Sequence, residues 1–123
     1  MPDQNSKNTP LEQASTGPDT AAPSDSMVFW RPGHVTRSVR ERLAGQKALI
    51  IWLTGLSASG KSTTTYELEQ QLASKQRLCY VLDGDNLRHG INRNLGFSHA
   101  DRTENIRRTA EIAHLMNEAG LDN

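Results

Sequence analysis

The sequence predicts an α/β fold, a three-layer arrangement of helices around a parallel sheet. Two apolar runs carry that expectation, KALIIWLT at 47–54 and LCYVL at 78–82, one helix-length apart. Neither alternates with polar residues, which is what a parallel strand covered on both faces requires. Between them lie a glycine-punctuated turn and a stretch of helical character, so the order is strand, loop, helix, strand. At this spacing that is a βαβ unit with a right-handed crossover.

The elements follow in order. Residues 1–27 are rich in Pro, Ser, Thr, Asp, Asn and Gln and read as a disordered polar tail. Order is expected to begin at Val28, Phe29 and Trp30, so that 28–123 form a single domain. VTRSVRERLAGQ then reads as a short charged helix that Gly45 terminates. After the first apolar run, the helix from Lys61 to about Ser74 offers Tyr66, Leu68 and Leu72 for burial. Glu67, Glu69, Gln70 and Gln71 are expected to stay in water. The segment DGDNLRHGINRNLGFS is polar, with room for one helical turn. Ser98, three residues before Asp101, is placed to cap a long helix that Gly120 ends. On that helix Ile106, Ala110, Ala113 and Met116 share one face, with Ile112 and Leu115 beside it.

Composition narrows the partners. Lys and Arg number 14, as do Asp and Glu, so no net field draws the chain to nucleic acid. The lone Cys79 cannot form an internal disulfide and reads as a small buried hydrophobe in a strand. No stretch approaches the ~18 apolar residues of a membrane helix, and the leader lacks a secretory pattern, so a cytoplasmic location is expected. His34, His89, His99 and His114 show no metal-ligand spacing.

The chemistry starts at GLSASGKS, residues 55–62, which matches G-x-x-x-x-G-K-[ST] and marks the fold as P-loop NTPase-type. Gly55 and Gly60 allow the backbone to curl tightly around phosphate oxygens. Leu56, Ser57, Ala58 and Ser59 complete the curl, whose N–H groups converge on an anion at the helix start with those of Lys61, Ser62 and Thr63. Lys61 supplies a point charge to the β- and γ-phosphates of ATP, and the Ser62 hydroxyl is a ligand for Mg2+.

Asp83 and Asp85 follow the second apolar run, at the sheet edge where open α/β folds bind ligands. One carboxylate could orient Mg2+ and the other accept a proton from an attacking hydroxyl. Spacing alone also allows a helix N-cap and a turn. Arg88, Arg93, Arg102, Arg107 and Arg108 could hold phosphate or sulfate, or simply form a solvated face. Phe97 is an aromatic within a polar stretch and could stack on a base.

Four segments together resemble the adenylyl-sulfate kinase family: FWRPGHVTR, IWLTGLSASGKST, LDGDNLRHGINRNLGFS and DRTENIRRTAEIAHLM. The resemblance runs from Val28 to Leu121. It implies transfer of the γ-phosphate of ATP to the 3′-hydroxyl of adenylyl sulfate, giving 3′-phosphoadenylyl sulfate. By the same resemblance Asp85 is the base, with Asp83 and Lys61 beside it, and Ser62 with Asp85 would hold the metal. Arg88, Phe97, Arg102 and Asn105 correspond to positions that hold adenylyl sulfate, Phe97 on its adenine and the two arginines on its phosphosulfate. Ala58 stands where many members have glycine, though alanine also occurs there.

The family continues beyond this helix into further strands and a lid, so the resemblance also implies a domain truncated after its second or third β-α unit. The closing residues LDN read as a poor strand. An isolated chain of this kind is expected to be marginally stable and weakly active. A full-length version would be compatible with a homodimer. The competing readings are a non-catalytic nucleotide-binding remnant and another small-molecule P-loop kinase.

Overall fold

The structure, a computed structural model, describes residues 28–123; the expected polar tail lies outside them. Gly33–Asn123 form one compact unit, and Val28 to Pro32 belong to another. Within the latter Val28, Phe29 and Trp30 are exposed and carry no secondary structure, so this apolar cluster is not buried as a start of order.

Four helices form among the described residues: α1 (Arg37–Ala44), α2 (Lys61–Ser74), α3 (Gly84–Leu87) and α4 (His99–Glu118). Their ends follow local chemistry. Thr36 caps α1 by accepting the Val39 N–H, and Ser98 caps α4 by accepting the Asp101 N–H. Gly45 and Gly120 stop α1 and α4 in the left-handed conformation, at φ 68° and 90°. At each stop paired bonds take up the last carbonyls: Gln46 N–H to Glu41 and Gly45 N–H to Arg42, then Leu121 N–H to Met116 and Gly120 N–H to Asn117.

The sheet departs from expectation. Residues 47–54 and 78–82 are extended, but neither forms a strand ladder, and the one bridge among the described residues is parallel, between Cys79 and Asp122. The reason lies in who sits next to whom. Asp122 donates its N–H to Leu78 O and accepts from Tyr80 N–H, while Asn123 donates to Leu49 O and accepts from Ile51 N–H. Residues 121–123 therefore run between the two apolar segments, which are next-but-one neighbours and share no ladder.

The closing LDN was expected to be a poor strand, yet it takes this central position because its polar groups are satisfied there. Asp122, only 1% exposed, accepts from Leu49 N–H at 3.1 Å and from Arg77 Nε at 2.8 Å. Gln46 braces the same layer, donating to Leu78 O and Gly120 O and accepting from Leu78 N–H.

Burial is correspondingly partial. Ala48 is buried, but Leu49, Ile50, Ile51 and Trp52 remain 43–48% exposed rather than covered on both faces. Leu68 and Leu72 of α2 are half-buried as expected. Glu69 is not left in water: it is half-buried and accepts the Val81 N–H at 3.2 Å, joining α2 to the second extended segment. On α4 the buried line is Thr109, Ala113 and Asn117, while Ile106, Ala110 and Leu115 are exposed. The inward face is rotated toward small and polar residues because Thr109 donates its hydroxyl back to Asn105 O and needs no outside partner.

Gly120 also allows α4 to end against α1, since a Cβ there would lie 3.2 Å from Arg40 C and 3.3 Å from Arg40 O. Gly120→Ala therefore meets both a disfavoured φ and a backbone contact. It should cost about 1–3 kcal/mol, read as a lower urea midpoint at unchanged slope.

Candidate active site

The turn at 55–60 sits between the first extended segment and α2. Gly55 (φ 155°), Ala58 (φ 60°) and Gly60 (φ 86°) give it its curl. Ala58 adopts a left-handed conformation that glycine takes more readily, which accounts for glycine being accepted at such a position. Gly60 is the N-cap of α2 and no side chain caps this helix, whereas Thr36, Asp83 and Ser98 cap the other three. The first-turn amides of α2 are thus left to face the loop. Lys61 folds back over it, donating from Nζ to Gly55 O at 2.7 Å, Leu56 O at 2.5 Å and Ser59 Oγ at 3.3 Å.

Across from the loop, Asp83 caps a helix, one of the readings its spacing allowed, and also reaches Ser62. Its Oδ1 caps α3, accepting from the Asp85 and Asn86 N–H groups. Its Oδ2 accepts the Ser62 hydroxyl at 2.7 Å. The Ser62 hydroxyl, with the two backbone N–H groups, holds the Asp83 carboxyl below its ordinary range against some burial. Asp85 lies on α3, exposed, and its carboxylate accepts no bond among the described residues. Ser62 is therefore joined to Asp83 rather than to Asp85. Tyr66 of α2 accepts from Asn86 Nδ2 at 2.9 Å, a second tie between α2 and α3. Burial, then the Asp83 charge, raises the Tyr66 phenol above its usual value.

Residues 57–63, Asp83 and Asp85 line one cavity of about 660 Å3, which also takes in Asn105, Ile106 and the apolar walls of 49–53 and 79–82. Arg88, Phe97 and Arg102 are not among its lining residues. They form a neighbouring cluster in which Arg88 donates to Leu95 O and Gly96 O, and Arg102 Nε to Phe97 O. The Arg88 guanidinium lies 4.5 Å from the Phe97 ring centroid, and Phe97 is 69% exposed.

Of the other arginines, Arg107 and Arg108 both pair with Glu104, at 2.8 and 2.9 Å. Arg108 reaches on to Ile91 O and Asn94 Oδ1, pinning the loop that follows α3. Cys79 keeps a raised thiol pKa from burial and the Asp122 charge, in line with a packing role. Among the described residues no His, Cys, Asp and Glu cluster could hold a metal by itself, and no helix is long and apolar enough to cross a membrane. Sequence reasoning missed Gln46, Glu69, Tyr66, Asn92 and Asp122 as organisers. Their partners are backbone groups, amides or, for Asp122, also the Arg77 guanidinium, all distant in sequence, which no spacing pattern announces.

The family model for adenylylsulphate kinase matches residues 47–122. The chain belongs to that family. It is 54% identical to an adenylyl-sulfate kinase of Clostridium kluyveri over 94 residues, covering 76% of this chain and 47% of that protein. A Yersinia pestis adenylyl-sulfate kinase is 53% identical over 97 residues, covering 79% and 46%. Among solved structures, the Mycobacterium tuberculosis APS kinase in complex with AMPPNP and APS is similar, with a TM-score of 0.60 and 51% identity. That match covers 62% of this chain and 44% of the other. The fold of this family member is accordingly of the P-loop NTPase type. The chain spans about half the length of the curated relatives it matches.

Glu104 supplies a pH-dependent test of the α4 surface. The two arginines lower its carboxyl from an ordinary 4.5 to about 2. A depressed carboxyl stabilises fully above its unfolded value, so this contribution is complete above about pH 4.5 and is lost as pH falls toward about 2. Glu104→Gln should remove that part of the acid sensitivity, seen as a flatter thermal midpoint between those pH values than in the unsubstituted chain.

Proposed function

We propose that this protein carries the phosphate-binding and acceptor-positioning half of an adenylyl-sulfate kinase, which moves the γ-phosphate of ATP to the 3′-hydroxyl of adenylyl sulfate. The observation that carries the reading is the facing of an uncapped α2 start, with Lys61 across its loop, and the Ser62–Asp83 pair. In support, the Mycobacterium tuberculosis relative is described with AMPPNP and APS bound.

The amides of Gly60, Lys61, Ser62 and Thr63 fit a triphosphate, since the helix start has no internal cap to displace. Leu56, Ser57, Ala58 and Ser59 form the rest of the cradle after Gly55. Lys61 exchanges its carbonyl partners for β- and γ-phosphate oxygens, so its ammonium is hydrogen-bonded in either state. The oxygen donors Ser62 and Asp83 fit Mg2+, a hard cation held through few carboxylates and water, and Asp85 is near enough in sequence to contribute. Bound there, Mg2+ would neutralise charge on the phosphates.

Asp85, exposed on the first turn of α3, accepts the proton of the attacking 3′-hydroxyl. Phe97 offers its open ring face to the adenine, with Arg88 behind it. Arg88 and Arg102 trade loop carbonyls for the phosphosulfate, and Asn105 adds a neutral donor from the cavity wall.

An ADP-release assay on a version extended to the length of its relatives tests the assignment: adenylyl sulfate should stimulate turnover, and binding of ATP without such stimulation would remove the substrate. Lys61→Ala should lower activity by orders of magnitude; retained activity would refute the loop's role. Phe97→Ala should weaken adenylyl sulfate by about 1–3 kcal/mol if its ring stacks on a base. An unchanged Michaelis constant for that nucleotide would count against stacking.

A further inference from the structure

Asn92 is fully buried, at 0% exposure, in the loop between α3 and α4, and has no part in the proposed reaction. Its backbone is tied down: the N–H donates to Leu87 O at 2.8 Å, and its carbonyl accepts from Leu95 N–H at 3.0 Å. Its side chain donates from Nδ2 to Asn105 Oδ1 at 2.7 Å, a short bond for a neutral pair. The Asn92 Oδ1 has no partner. A buried amide that leaves its acceptor unpaired costs stability, which makes a role for its donor worth seeking.

An amide has two faces, and bonding one orients the other. With Oδ1 engaged inward, Asn105 must turn its Nδ2 away from Asn92. That nitrogen lies 4.0 Å from where a Cβ on Gly84 would stand, so it is beside the N-terminal turn of α3, and Asn105 lines the cavity with Asp83 and Asp85. No described group accepts from it. The Asn105 backbone carbonyl is taken by Thr109 Oγ1, and Arg108 pins the loop at Ile91 and Asn94 on either side of Asn92.

We infer that Asn92 is a positioning residue, which fixes the Asn105 amide so that an N–H donor, and not a carbonyl acceptor, faces the cavity beside Asp85. The polarity matters because Asp83 and Asp85 already supply acceptors there. An anionic nucleotide brought to this wall needs a donor that adds no charge, and a freely flipping amide would present the repulsive carbonyl part of the time. The inference rests on the proposed role of Asn105 in holding adenylyl sulfate and extends it to the residue that sets its polarity.

The experiment separates the two. Asn92→Asp keeps shape but replaces the donor with an acceptor, so Asn105 should turn its Nδ2 inward; Asn92→Ala, which removes the donor and should also weaken adenylyl sulfate binding, covers failure of the first variant to fold. Side-chain amide resonances of the ligand-free chain read the orientation without substrate. The Asn105 amide protons should exchange rapidly with water in the unsubstituted chain and become protected in Asn92→Asp. Adenylyl sulfate binding by equilibrium dialysis reads the use: Asn105→Ala and Asn92→Asp should each weaken it about tenfold. The double variant should be no weaker than Asn105→Ala alone. Unchanged Asn105 exchange in Asn92→Asp, or losses that multiply in the double variant, would overturn the positioning role. If the exchange shifts as expected while Asn105→Ala binds normally, the positioning stands and the substrate role of Asn105 falls.

Discussion

Two extended segments that share no backbone hydrogen bond must be held a fixed distance apart, and Asp122 and Asn123 set that distance. Their backbone groups bond alternately to Leu78 and Tyr80 on one side and to Leu49 and Ile51 on the other. Neighbouring strands lie about 4.8 Å apart, so one intervening segment places the two apolar runs about 10 Å from each other. The phosphate loop leaves the end of one run and Asp83 the end of the other. That separation lets Ser62, at the start of α2, reach Asp83 Oδ2 at 2.7 Å.

What stabilises the layer is polar to an unusual degree. Asp122, Gln46 and Glu69 each take up backbone N–H groups of the extended segments, and Arg37 and Arg77 donate to the carbonyls of Ala48 and Lys47. Each backbone group of a half-covered strand must find a partner or face water. Side chains from α1, α2 and the turn before the second segment supply those partners where a neighbouring strand does not. Burying Asp122 is tolerable because Arg77 and the Leu49 N–H share its charge.

The site shows the same economy of groups. Asp83 uses one oxygen to cap α3 and the other to hold Ser62, so the helix that carries Asp85 and the helix that bears the phosphate loop are joined through one carboxylate. Tyr66 and Asn86 join them again a turn away. Arg88 and Arg102 hold the 95–97 carbonyls, which keeps Phe97 displayed at the surface.

Local chemistry was legible from sequence. The glycine spacing of the phosphate loop, the Ser98 cap, the glycine stops and the one-turn α3 all depend on residues within a few positions of each other, and each is found where it was expected. Family membership was equally readable, because DGDNLRHG and DRTENIRR are contiguous words. Tertiary structure alone decided that the two apolar runs are not ladder partners, that Glu69 is drawn in, that the α4 face rotates onto Thr109 and Asn117, and that Asp83 serves two helices. Those outcomes depend on which backbone groups remain unpaired once segments far apart in sequence are side by side, and hydrophobic periodicity carries no information about that.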